Sequence, residues 1–149
     1  MGWLIQRHGE LYAEHDGFDR SFELLVAEVL IAFAHSHDPS CERGWIAANG
    51  SQRLGSIFCV RSGEPEIAKL RLFLIEPEAR GLGLGQRMLE TCIGFARETG
   101  YRRLRLWTHQ SHLAACVLYD RNKFACVKSK PVRSFGQDLV EQTWELDLT

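Results

Sequence analysis

A chain of 149 residues with 45% hydrophobic composition carries enough apolar material for one sizeable core, so a single domain over 1–149 is expected. Its 18 basic and 19 acidic residues leave a net charge of -1, which excludes a global field drawing it to nucleic acid or an anionic membrane. No apolar run nears the roughly 20 residues of a membrane span. The opening GWLIQRHGE turns polar too early for a signal peptide, so a cytoplasmic location is expected. Cys41, Cys59, Cys92, Cys116 and Cys126 form no Cys-x-x-Cys pair and read as reduced, small apolar residues.

Taken in chain order, the short apolar start Trp3 to Arg7 predicts a first strand. From Phe18 the residues Phe22, Leu25, Val26, Val29, Leu30 and Phe33 recur at helical spacing, with Asp16 as the expected cap. HSHDPSCERG is a turn-rich break. Its His35, His37 and Cys41 lack a fourth partner and an order suited to zinc, so no metal is expected. GWIAAN and QRLGSIFCVRS predict a hairpin, and EIAKLRLFLIEP a central strand that Pro77 ends because proline has no N–H to give.

Met88, Leu89, Cys92, Ile93 and Ala96 then repeat at helical spacing, and Gly100 stands where a helix-ending glycine belongs. YRRLRLWTH alternates, with Leu104 and Leu106 on one face and Arg103, Arg105 and Trp107 on the other. SHLAACVLYDRN predicts a short helix with Ser111 as cap, and FACVKSKPVRSF and LVEQTWELDL two strands joined through FGQD. The expected order is β-α-β-β-β-α-β-α-β-β, one mixed sheet with helices on both faces.

The segment EPEARGLGLGQRML places Gly81, Gly83 and Gly85 at a strand-to-helix junction. Glycine inside a regular element costs roughly 0.5–1 kcal/mol relative to alanine, so three of them imply a requirement. Either they make a tight turn, or the N–H groups of residues 81–86 converge on a phosphate at the helix N-terminus. A Walker loop needs Gly-Lys-Ser/Thr, whereas Gly85 precedes Gln86 and Arg87. The dinucleotide fingerprint needs a third glycine three residues after the second, and its place is taken by Gln86 and Met88.

The remaining pattern, Arg80-Gly81-Leu82-Gly83-Leu84-Gly85 after an apolar strand, resembles the acyl-CoA-binding signature of the GNAT superfamily of N-acetyltransferases over LFLIEPEARGLGLGQRML. AACVLYDRNKF resembles that superfamily's Ala-x-x-x-Tyr-x-x-x-Gly-Phe helix, and the element order is similar over essentially the whole chain. AKLRLFLIEP, LWT and SFGQDLVEQTWELDL are similar to the acetyltransferase half of bacterial proteins that join it to a MarR-type DNA-binding domain. The resemblance implies an α/β (α+β) fold with a mixed, mostly antiparallel sheet of about six to seven strands. It also implies transfer of an acetyl group from acetyl-CoA to a primary amine by direct attack in a ternary complex. Homodimers are common in the superfamily, and no residue here marks an interface.

By the same resemblance, Phe73, Leu74 and Ile75 pair their backbone with pantetheine, and Arg80, Gly81, Leu82, Gly83, Leu84, Gly85 and Gln86 hold the diphosphate. Tyr119 matches the family tyrosine that hydrogen-bonds the CoA sulfur and is the expected general acid, with a packing role for it left open. His109 stands where relatives often carry a cofactor-facing asparagine. Lys123 replaces the glycine before the family phenylalanine, leaving Asn122 to supply the left-handed helix end.

The usual catalytic glutamate is absent: its position is Lys69, and Arg71 lies two residues on, on the same face. Two readings stay open for this pair, salt-bridge duty or recognition of an acidic group on the acceptor. Arg103 and Arg105 fit salt-bridge duty. Lys69 with a depressed pKa, Glu66 and His109 are the alternative bases. A lysine-like amine (pKa about 10.4) costs roughly 4–5 kcal/mol to neutralise at pH 7, an α-amine (pKa about 8) only about 1. The acceptor expected is therefore an acidic, amino-acid-like small molecule, a protein amine being the other possibility. A catalytically silent acyl-CoA-binding sensor is the rival function.

Overall fold

The computed structural model describes residues 1–149. Two helices, α1 (Gly2–Asp16) and α2 (Arg20–Ser36), precede β1 (Arg43–Asn49), β2 (Gln52–Arg61) and β3 (Ile67–Ile75). Then come α3 (Leu84–Thr99), β4 (Arg103–His109), α4 (Leu113–Arg121), β5 (Ala125–Ser134) and β6 (Gln137–Asp147). The six strands pair in the order β1-β2-β3-β4-β6-β5, antiparallel except for β3 and β4.

The expected strand at Trp3–Arg7 is instead the first half of α1. Leu4, His8 and Leu11 are its buried residues, at the i, i+4, i+7 spacing of one helical stripe. A five-residue window ending at Arg7 cannot display that period. Gly17, at φ 69°, ends α1, its N–H bonded to the Ala13 carbonyl at 3.1 Å. The cap of α2 is therefore Asp19, whose carboxylate accepts the Ser21 N–H at 2.9 Å, while Asp16 closes α1. Similarly, His112 rather than Ser111 precedes α4, with no side-chain cap bond.

The sheet separates two apolar layers. Ile57, Cys59, Ala68, Leu70, Leu104 and Leu106 meet Met88, Leu89, Cys92, Ile93 and Ala96 of α3 on one side. Phe58 meets Leu4, Val26 and Leu30 of α1 and α2 on the other. The alternation of β2 thus feeds both layers, as a central strand must.

Two features open the sheet in the middle. The parallel ladder of β3 and β4 runs only over Ile67–Arg103, Ala68–Leu104 and Lys69–Arg105. Beyond it β3 is paired only with β2, and β4 only with β6. The β2–β3 register also shifts, from Phe58–Arg71 to Ser56–Leu74, a bulge in β3. Leu72 there has φ 50°, and its carbonyl accepts the Ser56 hydroxyl at 2.6 Å.

Candidate active site

Where β3 and β4 part, a cleft of about 850 Å³ forms, walled by α1, α2, the glycine loop and α4. Phe73, Leu74 and Ile75 line it, on the stretch of β3 whose β4 side is unpaired. Arg80, Gly81, Gly83, Leu84, Gly85, Gln86, His109, Tyr119 and Arg71 line it as well. Leu82 and Lys69 do not: the Leu82 side chain is 75% exposed, and the Lys69 ammonium lies 5.2 Å from the Trp107 ring centre.

The glycine loop is shaped by two left-handed residues, Gly81 (φ 77°) and Gly83 (φ 79°), where a Cβ would meet nothing within 4 Å. Their conformation, not crowding, requires glycine. The first hydrogen bond of α3 runs from the Arg87 N–H to the Gly83 carbonyl at 3.1 Å. The N–H groups of Leu84, Gly85 and Gln86 therefore have no partner within the helix and sit at its positive end, a geometry suited to diphosphate. The Gln86 amide is turned away from this role. It exchanges two hydrogen bonds of 2.8 Å with Asn122, fastening the start of α3 to the end of α4. Asn122 is not left-handed (φ −94°); Lys123 itself is, at φ 72°.

Tyr119 is 5% exposed, tilted against Phe73, Phe124 and Trp144. Burial, then the neighbouring Tyr12, raise its phenol above the ordinary value, so it remains a donor through the physiological range. His109 packs edge-on against Phe18 at 5.6 Å and His112 at 5.4 Å. Burial and His112 together lower its pKa.

The four candidate cations separate. Arg105 is bound to Glu145 at 2.8 Å and Glu64 at 2.9 Å, and Arg103 is exposed outside the cleft. Lys69 has its pKa lowered by burial, then by Arg71 and Arg105. Only Arg71 faces the cleft, half-buried and in no ion pair. Burial lowers its pKa too, yet a guanidinium stays charged. Glu66 is exposed, 3.7 Å from Arg102 and outside the cleft.

Sequence reasoning missed the contribution of α1. His8, Leu11, Tyr12 and Asp16 all line the cleft, and Asp16 holds His112 Nε2 at 2.9 Å. The signal was present: His8 interrupts the apolar stripe Leu4–Leu11, legible once the segment is read as a helix.

Comparison with known proteins bears on the fold and the family. A 28%-identical match over 85 residues relates the chain to the mycothiol acetyltransferase of Geodermatophilus obscurus, covering 54% of this chain and 28% of that protein. The chain thus spans well under half the length of that relative. An acetyltransferase structure of the GNAT family from Desulfovibrio desulfuricans superposes with a TM-score of 0.79 over 99% of this chain and 92% of that one, at 16% identity. The acetyltransferase yncA of Salmonella typhimurium, solved with its cofactor acetyl-CoA, superposes at 0.70 over 83% and 74%, at 18% identity. The family model for the acetyltransferase (GNAT) family matches residues 7–124, and the chain belongs to that family.

Proposed function

We propose that the protein is an acetyl-CoA-dependent N-acetyltransferase whose acceptor is an acidic, amino-acid-like small molecule carrying a primary amine. The observation that carries this reading is the continuity of one cleft from the free N–H groups at the start of α3, past Phe73–Ile75 and Tyr119, to the unpaired Arg71. Acetyl-CoA supplies an activated thioester. The free N–H groups of Leu84, Gly85 and Gln86, at the end of the loop that starts at Arg80, hold its diphosphate, and the open edge of Phe73, Leu74 and Ile75 holds its pantetheine arm.

The chemistry then needs a neutral amine held at the thioester carbonyl and a proton for the departing sulfur. Tyr119, kept protonated by burial, donates that proton. Arg71 receives the carboxylate of the acceptor, because a half-buried cation without a counter-ion gains most from an anionic partner. With the family glutamate replaced by Lys69, an amine of low pKa is favoured, since less of the barrier goes to its deprotonation.

Calorimetric titration with acetyl-CoA, beside Gly83→Val, is the first test, followed by a thiol-release screen of amines starting with L-glutamate and L-aspartate. Binding lost in Gly83→Val and turnover of an acidic amine support the proposal. Absence of binding overturns it, and binding without turnover of any amine points to the sensor function.

A further inference from the structure

His8 is 2% exposed and lines the cleft from α1. Its Nδ1 lies 2.7 Å from the Leu4 carbonyl oxygen. A carbonyl oxygen can only accept, so Nδ1 carries the ring proton and Nε2 presents a lone pair. That Nε2 is the single buried side-chain polar atom without a hydrogen-bond partner. Buried polar atoms in folded proteins are nearly always partnered, because an idle one loses its bonds to water for nothing. An imidazole kept here calls for a donor that the fold does not supply.

The chemistry of the site narrows the donor. Burial drives the His8 pKa down to about 4, so the ring is neutral at working pH and acts as an acceptor, not a cation. Tyr12 lies parallel to the ring at 6.2 Å. Arg71, on the same cleft, is ready for a carboxylate. A molecule bearing both a carboxylate and an amine carries a partner for each of the two unpartnered groups.

We infer that His8 Nε2 accepts a hydrogen bond from the acceptor amine and directs the nitrogen lone pair at the acetyl carbonyl. This rests on the acetyl-transfer reading of the cleft. As the C–N bond forms and the C–S bond breaks, the surplus proton on nitrogen leaves to solvent in the cleft, while Nε2 keeps accepting the other N–H. The sulfur takes a proton from the Tyr119 hydroxyl, which solvent restores.

The test measures thiol release with L-glutamate and L-aspartate for the unmodified protein, His8→Phe and His8→Gln, with acetyl-CoA affinity read by calorimetry. In His8→Phe, kcat/KM for the amine falls roughly 30-fold or more while the acetyl-CoA Kd stays within about twofold. His8→Gln, whose amide oxygen can reach the Nε2 position, recovers roughly a tenth or more of kcat/KM. A His8→Phe enzyme within about threefold of the unmodified one overturns the inference and leaves acetyl transfer standing. If the unmodified protein acetylates neither amino acid, the acidic-acceptor reading is overturned and this inference with it. Nitrogen-15 spectra of the unmodified protein need no substitution: the His8 Nε2 resonance shifts when the transferring amine is added, and a fixed resonance overturns the inference.

Discussion

Arg7 of α1 grips the carboxylate of Glu76, the residue after β3, with its Nη2 2.9 Å and its Nε 3.0 Å from Oε2. The Glu76 side chain is only 5% exposed, so a charged group is sealed between the helix that carries His8 and the strand that leads into the glycine loop. Removing one partner leaves the other charge stranded. Arg7→Met is expected to lower stability by about 3 kcal/mol in denaturant unfolding, and Arg7→Met/Glu76→Gln to recover part of that loss. Equal stability of the two variants would show that the pair does not couple α1 to β3.

The glycines of the loop should answer differently to alanine. Gly83 is left-handed, and Gly83→Ala is expected to cost about 1–2 kcal/mol. A Cβ at Gly85 would make ordinary contacts, 3.7 Å from Leu118 and 3.9 Å from Ile75 and Phe73, so Gly85→Ala should keep or slightly raise the melting temperature. Circular dichroism melts of the two variants check this contrast.

The pH dependence of stability carries a signature of His8. Its folded pKa of about 4 lies below the ordinary 6.5, so between those values the unfolded chain binds the extra proton. Stability contributed by the neutral ring is complete above pH 6.5 and is lost as pH falls towards 4, by an amount on the order of 3 kcal/mol. His8→Phe should flatten the stability curve across that window. An unchanged slope would place the titrating group elsewhere.

Tyr119→Phe removes one hydroxyl and keeps the packed ring. A loss of about 100-fold or more in kcat, with acetyl-CoA affinity unchanged, is expected from the removal of a general acid. Retention of full kcat would assign the tyrosine to packing against Phe73 and Trp144 alone.

Arg71→Gln tests acceptor choice. Acidic amines should show a rise of about tenfold or more in KM, with neutral amines little changed, because only the former gain from the cation. Lys69→Gln should have a smaller effect, since its ammonium lies over Trp107 rather than in the cleft.

Much of the molecule was legible in the order of its residues, and the reason is local. The stripe Met88, Leu89, Cys92, Ile93, Ala96 and the closing Gly100 announce α3 because a 3.6-residue period and a left-handed terminus are written within one segment. The alternation of Leu104 and Leu106 with Arg105 announces β4 for the same reason. Gly81 and Gly83 marked the loop because only glycine occupies such φ angles without strain.

What tertiary structure decided depends on partners remote in sequence. Trp3–Arg7 reads as a strand alone and becomes a helix because Leu4, Val26, Leu30 and Phe58 share one core. Lys69 and Arg71 are alike on paper. The sheet divides them, because Lys69 is in the last pair that joins β3 to β4, whereas Arg71 lies where the strands have parted. The unpartnered nitrogen of His8 has the same origin: whether a buried lone pair meets a donor is settled by what the fold packs around it, and a one-dimensional pattern does not record that.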